Sequence, residues 1–155
     1  TDRLFFFPHW SWIVPEKIFT KYECIMFHMT DLPFGRGGTP LQNLISSGFQ
    51  ETQLSAFRCE KGIDSGPIYM KRPLSLAGSA QEIIERASSI IEQMIMELIG
   101  SSRKTLPQEG TSTYFKRRTP DESEVNWEDS LVSIFDHIRM LDDDYYPSLY
   151  RSWKF

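Results

Sequence analysis

The apolar positions of this chain fall into short unbroken runs near its start and into one long helical stripe past its middle. "LFFF" (Leu4 to Phe7) is apolar without interruption, the pattern of a strand covered on both faces in a parallel sheet rather than of an alternating edge strand. Pro15 suits the opening of a short helix, "PEKIFTKY", and "CIMF" (Cys24 to Phe27) is a second apolar run, so this segment reads as strand, helix, strand. A glycine-bearing loop follows, and then Thr39 and Pro40 as N-cap and first residue of the helix "PLQNLISS", with Gly48 beyond its end. "TQLSAFRC" alternates as a strand, and "GPIYMKRPL" makes another after the turn "GIDSG".

The stripe lies in "GSAQEIIERASSIIEQMIMELIGSS". Ser79 and Glu82 form a capping box, Ile83, Ile84, Ala87, Ile90, Ile91, Met94, Ile95 and Leu98 recur at the helical period, and Gly100 stops the element. Its methionines are expected to fill the core. Ser101 to Ser112 reads as a polar connection. "SLVSIFDHIRML" (Ser130 to Leu141) is a further amphipathic helix with His137 towards solvent, ending at Asp142 to Asp144, whose charge is unfavourable at a helix C-terminus. The aromatic tail "DYYPSLYRSW" suits either sugar stacking or docking on the core.

Composition narrows the functional classes. With 155 residues, 40% of them hydrophobic, the chain is one ordinary domain, or one with a piece of another. A net charge of −4 gives no global attraction for nucleic acid, and the basic "FKRR" is flanked by the acidic "PDESE", so it reads as solvated surface. The only two cysteines, Cys24 and Cys59, lack the paired spacing of a zinc site. They read as reduced, buried thiols of a cytoplasmic protein, and no metal is expected. No apolar run approaches the ~18 residues of a membrane span.

The candidate chemistry begins at "MFHMTDLPFGRGGTP". His28 follows the second strand directly, which is the carboxyl end of a parallel sheet if the strand, helix, strand reading holds, and open α/β sheets place their ligand crevices there. Asp64 stands in "KGIDSGPIY" between residues suited to tight turns, so its carboxylate can be projected from a fixed backbone. An acid beside an imidazole makes a proton-transfer unit. The plainer readings, a core histidine with its hydrogen bonds satisfied and an Asx turn, stay open at this point.

"FHMTDLPFGRGGTPLQNLISSG" followed by "KGIDSGPIY" resembles the 10-formyltetrahydrofolate-dependent formyltransferases, whose hallmark is Asn-x-His-x-Ser-x-Leu-Pro, an Arg-Gly turn, and a later loop ending Asp-x-Gly. "TYFKRRTPDESEVNWEDSLVSIFDHIRML" is similar to the segment that joins the catalytic domain to the next one in methionyl-tRNA and sugar N-formyltransferases. The resemblance implies an α/β fold, part of a Rossmann-like, mainly parallel sheet with a C-terminal helical extension. Residues 1–100 would be the C-terminal part of the catalytic domain, 101–129 a connecting segment, and 130–155 a helix and tail.

It further implies formyl transfer from 10-formyltetrahydrofolate to a primary amine, with His28 and Asp64 as catalytic residues. Ser11, Trp12, Ile13, Ile63 and Asp64 would line the pterin. Where the family carries its asparagine, this chain has Met26, a thioether with no N–H to donate, so either Thr30 or a backbone N–H replaces it, or formyl transfer is slow or absent. The acidic total points to a nucleotide-linked amino sugar as the acceptor. Methionyl-tRNA is the alternative within this chemistry, and a non-catalytic folate or nucleotide-sugar binding module the alternative outside it. The family's catalytic domain has strand–helix units ahead of the equivalent of "LFFF", which implies a piece of a longer protein, or a homodimer paired across the open sheet edge.

Overall fold

The computed structural model describes residues 3–141. In chain order it contains β1 (Leu4–Phe7), α1 (Glu16–Phe19), β2 (Glu23–His28), β3 (Arg36–Gly37), α2 (Pro40–Ser46), β4 (Glu51–Arg58), β5 (Ile68–Ser75), α3 (Ala80–Gly100), β6 (Tyr114–Phe115), a 3-10 turn (Pro120–Ser123) and α4 (Leu131–Arg139).

Four strands form one sheet in the order β1-β2-β4-β5, and β3 pairs with β6 in a second, two-stranded ladder. The strand, helix, strand expectation holds at the start, where β1 and β2 run parallel from Leu4 against Glu23 to Phe7 against Met26. The mixed α/β fold agrees with the family's, but its described sheet is not mainly parallel: β2 with β4 and β4 with β5 are both antiparallel. For β4 and β5 the reason is connection length. The loop over 59–67 is too short to carry the chain back along the eight residues of β4, and a parallel crossover takes roughly a dozen residues or more. Nor is β1 covered on both faces. Among the described residues it pairs with β2 alone, and Phe5 stays 39% exposed.

The core joins Ile25 and Phe27 of β2, Leu54 and Ala56 of β4, and Leu74 of β5 to Leu41, Leu44 and Ile45 of α2 and to the stripe of α3. In α3 the expected capping box is present: the Ser79 hydroxyl accepts from the Glu82 N–H, and the Glu82 carboxylate accepts from the Ser79 N–H. That backbone bond holds the Glu82 carboxyl below its usual range. Met94 fills the core as expected, whereas Met96 is 67% exposed because it falls on the outer side of the helix, two residues round from Met94.

Two local expectations fail. Thr39 precedes α2 but does not cap it; its backbone is left-handed, and its hydroxyl accepts instead from the Arg118 N–H and the Asn43 amide. His137 does not face solvent: it is half-buried, and its Nε2 is enclosed without a hydrogen-bond partner among the described residues. The helix that carries it, α4, is tied down by Arg139, which pairs with Asp136 at 2.6 Å and donates to the carbonyls of Leu76 and Gly78. The segment Asp142 to Asp144 and the aromatic tail lie outside the described residues. Among those described, no helix is long and apolar enough to cross a membrane.

Candidate active site

His28 is the last residue of β2, and the chain leaving it is fastened on both sides. The Ser55 hydroxyl of β4 donates to the Thr30 carbonyl at 2.7 Å, and Lys71 of β5 donates to the Leu32 carbonyl at 2.6 Å while pairing with Asp31. The loop then turns back at Gly35, whose N–H donates to the Thr113 hydroxyl at 2.8 Å. Its carbonyl lies 2.8 Å from His28 Nε2. A carbonyl can only accept, so Nε2 carries the hydrogen and Nδ1 is the nitrogen left for chemistry.

Nδ1 faces Asp64 Oδ2 at 3.7 Å. Asp64 occupies the left-handed region at φ 48°, uncommon outside glycine, and its Oδ2 accepts the Gly37 N–H at 2.8 Å. Gly37 itself has φ 97°, and a Cβ there would lie 2.7 Å from the Phe115 carbonyl oxygen, so glycine lets the β3–β6 ladder close and aims this N–H at the carboxylate. The carboxylate is thus set by backbone on one side and faces the ring on the other. The ring is only 8% exposed, and at this depth a carboxylate offsets the charge of a proton taken up at Nδ1 more strongly than in water. Of the plain alternatives, the satisfied-histidine reading covers Nε2 and leaves Nδ1 facing an acid.

The other expected site residues are placed less directly. Ser11, Trp12 and Ile13 follow β1, on the same end of the parallel pair as His28, and all three are exposed. Trp12 packs edge-on against Trp10 at 5.3 Å between ring centres. The Ser11 carbonyl accepts weakly from Arg117, whose own backbone lies against Gly38, so this loop reaches the His28–Asp64 pair through Arg117 and the 35–38 turn. Ile63 adjoins Asp64 and is 56% exposed. His9 turns away towards α3, where its Nε2 meets the Ser88 hydroxyl at 2.8 Å, and burial pushes its imidazole pKa down. Met26 lies two residues before His28 on β2 and so shares its face of the sheet. Thr30 does not supply the missing donor: it is fully buried, with its hydroxyl directed at the Gly35 carbonyl.

Cys24 and Cys59 are free and adjacent across the sheet, the Cys59 N–H donating to the Cys24 carbonyl at 2.8 Å. Only Cys24 is fully buried; Cys59 sits just past the end of β4 and is half-buried. Burial first, then the neighbouring Cys24, Asp64 and Glu60, pushes the Cys59 thiol up to about 11, which keeps it protonated and unreactive at neutral pH. Sequence reasoning missed Thr113 and Gln108. Both lie in or beside the supposed polar connection, and no local pattern marks them, because their partners come from loops some 40 to 80 residues earlier.

The mixed α/β domain thus holds a buried imidazole at the carboxyl end of a parallel strand pair, with an acid facing it and a glycine turn beside both, an arrangement whose chemistry suits proton transfer. Comparison with known proteins points to the same family as the motifs do. A family profile for the C-terminal domain of methionyl-tRNA formyltransferase matches residues 120–154. The structure of methionyl-tRNA formyltransferase from Clostridium thermocellum superposes with a TM-score of 0.90 at 52% identity, over 93% of this chain and 64% of that one. The methionyl-tRNA formyltransferase of Thermodesulfovibrio yellowstonii is 30% identical over 82% of this chain and 44% of its own length, and that of Rickettsia bellii 28% identical over 91% and 48%. Over nearly all of its length the chain is similar to formyltransferases. It spans about half the length of the curated relatives it matches.

Proposed function

We propose that the protein carrying this chain transfers a formyl group from 10-formyltetrahydrofolate to the primary amine of an aminoacyl-tRNA, methionyl-tRNA being the acceptor that the similar proteins' names favour. The observation that carries the reading is the facing of His28 Nδ1 and Asp64 with Nε2 already committed to Gly35. Attack of the amine on the formyl carbon gives a tetrahedral intermediate; the amine then loses a proton, the folate N10 gains one, and the C–N10 bond breaks. On this reading Nδ1 accepts the amine's proton and passes it towards N10, with Asp64 offsetting the charge in between. The intermediate's oxygen needs donors. Met26 offers none and the Thr30 hydroxyl is engaged elsewhere, so the protonated ring itself becomes the principal donor in this chain. Ser11, Trp12, Ile13 and Ile63 would supply the pterin contacts.

The acidic total favoured an amino-sugar acceptor, yet it averages over a local feature. Lys116 and Arg117 are exposed, and Arg117 lies against the loop that carries Trp12, itself 72% exposed. Exposed aromatic faces beside cations suit a single-stranded nucleic acid end. The test is to incubate the full-length protein with 10-formyltetrahydrofolate and either methionyl-tRNA or a nucleotide-linked amino sugar, following tetrahydrofolate release. Turnover is expected with the tRNA, and its apparent affinity should fall steeply with salt, log K dropping by ~0.7 to 0.9 per log unit of salt for each phosphate neutralised. Turnover with the sugar alone, insensitive to salt, would overturn the acceptor assignment. Folate binding with no turnover on any amine would support the non-catalytic alternative.

A further inference from the structure

We propose that Gln108 is a positioning residue that holds the Asp64 carboxylate against His28. Its amide is fully used. Nε2 donates to the Asp64 carbonyl at 2.8 Å and to the Gly66 carbonyl at 2.7 Å, while Oε1 accepts from Arg36 Nε at 3.2 Å and Nη2 at 2.7 Å. An amide has two hydrogens and two lone pairs to offer, and all four are spent. The orientation is fixed by its surroundings, because the flipped amide would set an oxygen against two carbonyls and N–H groups against a guanidinium.

What this amide joins are the two loops on which the candidate site depends. Arg36 adjoins Gly37, whose N–H holds the Asp64 carboxylate, and it is anchored in its turn by the Tyr114 hydroxyl and by the Thr113 carbonyl, which accepts its backbone N–H. Asp64 and Gly66 lie in the other loop, with Asp64 in a backbone conformation that costs energy for a residue with a side chain. Turning the Asp64 peptide out of that conformation would swing its carbonyl off Gln108 and its carboxylate off Gly37 together. Gln108 therefore opposes a backbone rotation that would carry the acid away from the ring, without touching either the ring or the carboxylate itself.

Gln108→Glu isolates this role. The nearly isosteric carboxylate keeps the pairing with Arg36 but loses both N–H donors and places an oxygen against the two carbonyls. In this chain, amide hydrogen exchange should become about tenfold faster at the Gly37 N–H, in step with the loss of its acceptor, while core amides such as Ile25 and Leu54 stay as slow as before. Exchange at Gly37 that matches the parent's would overturn the proposal. Should core amides accelerate as well, Gln108→Met, which removes the donors without adding charge, takes its place with the same expected and opposing results.

A second arm rests on the formyl-transfer reading. In the full-length protein Gln108→Glu should lower kcat by roughly tenfold with the KM values for folate and amine unchanged, and in an Asp64→Ala background it should produce no further loss, as expected for two residues that act as a unit. Additive losses would overturn the proposal. If the parent protein proves inactive, the functional reading fails, and exchange at Gly37 still decides the role of Gln108.

Discussion

Replacing His28 with alanine is expected to lower formyl transfer by about 10³-fold, within the range that a positioned acid–base group contributes. The loss should fall on kcat, because the pterin and acceptor contacts proposed here lie on other segments. Alanine also removes the donor to the Gly35 carbonyl and opens space beside a residue that is only 8% exposed, which should cost stability too. His28→Gln separates the two effects. A glutamine can keep a hydrogen bond to Gly35 but has no nitrogen able to take up and release a proton, so its turnover should match that of the alanine variant while its urea midpoint stays nearer the parent's. Single-turnover formylation and urea titration of all three proteins are the measurements. A glutamine variant with more than about a tenth of parental turnover would place the proton chemistry elsewhere.

The largest effect on stability is expected at Gly66→Ala. A Cβ there would sit 1.7 Å from the Arg58 carbonyl oxygen and 2.9 Å from its carbon. The obstacle is the backbone of the last residue of β4, and the Arg58 N–H is meanwhile bound to the Pro67 carbonyl at 2.9 Å, so neither side can move without breaking the entrance to β5. Overpacking against a side chain costs about 1 to 3 kcal/mol, and against fixed backbone the upper end or more is expected. The same displacement draws the Gly66 carbonyl off Gln108, so activity should fall further than unfolding alone explains at temperatures where the variant is still folded. Urea midpoints read the first effect, and turnover at low temperature the second. An unchanged midpoint would mean that the 59–67 loop has another conformation of equal energy.

How far the chain could be read from its sequence depended on whether the determining contacts are local. The helix α3 was legible from end to end, because Ser79, Glu82 and the apolar stripe act within a few residues of one another. His28 and Asp64 were each marked by local context, one after an apolar run and the other among glycines. Their approach to 3.7 Å is a tertiary fact; local context left it one reading among plainer ones, and the family resemblance favoured it. The direction of β4 and β5 was missed because an apolar run carries no sign of which way its neighbours run. Thr39 has the composition of an N-cap, but its backbone is left-handed and its hydroxyl is taken by the Asn43 amide and by the distant Arg118 N–H. Gln108 looked like any polar residue in a connection, since nothing in its neighbours announces that both ends of its amide are spoken for.

The ladder that completes the site is two residues long, Arg36 with Tyr114 and Gly37 with Phe115. It joins stretches separated by about half the chain. On a ribosome, a nascent protein whose emerged portion stopped short of Phe115 could already assemble the four-stranded sheet and lay α3 upon it, yet the aspartate would have no finished cradle. The proposed site is in this sense finished after its scaffold: the sheet comes first, and the clasp arrives with the segment that looked, on paper, like a tether.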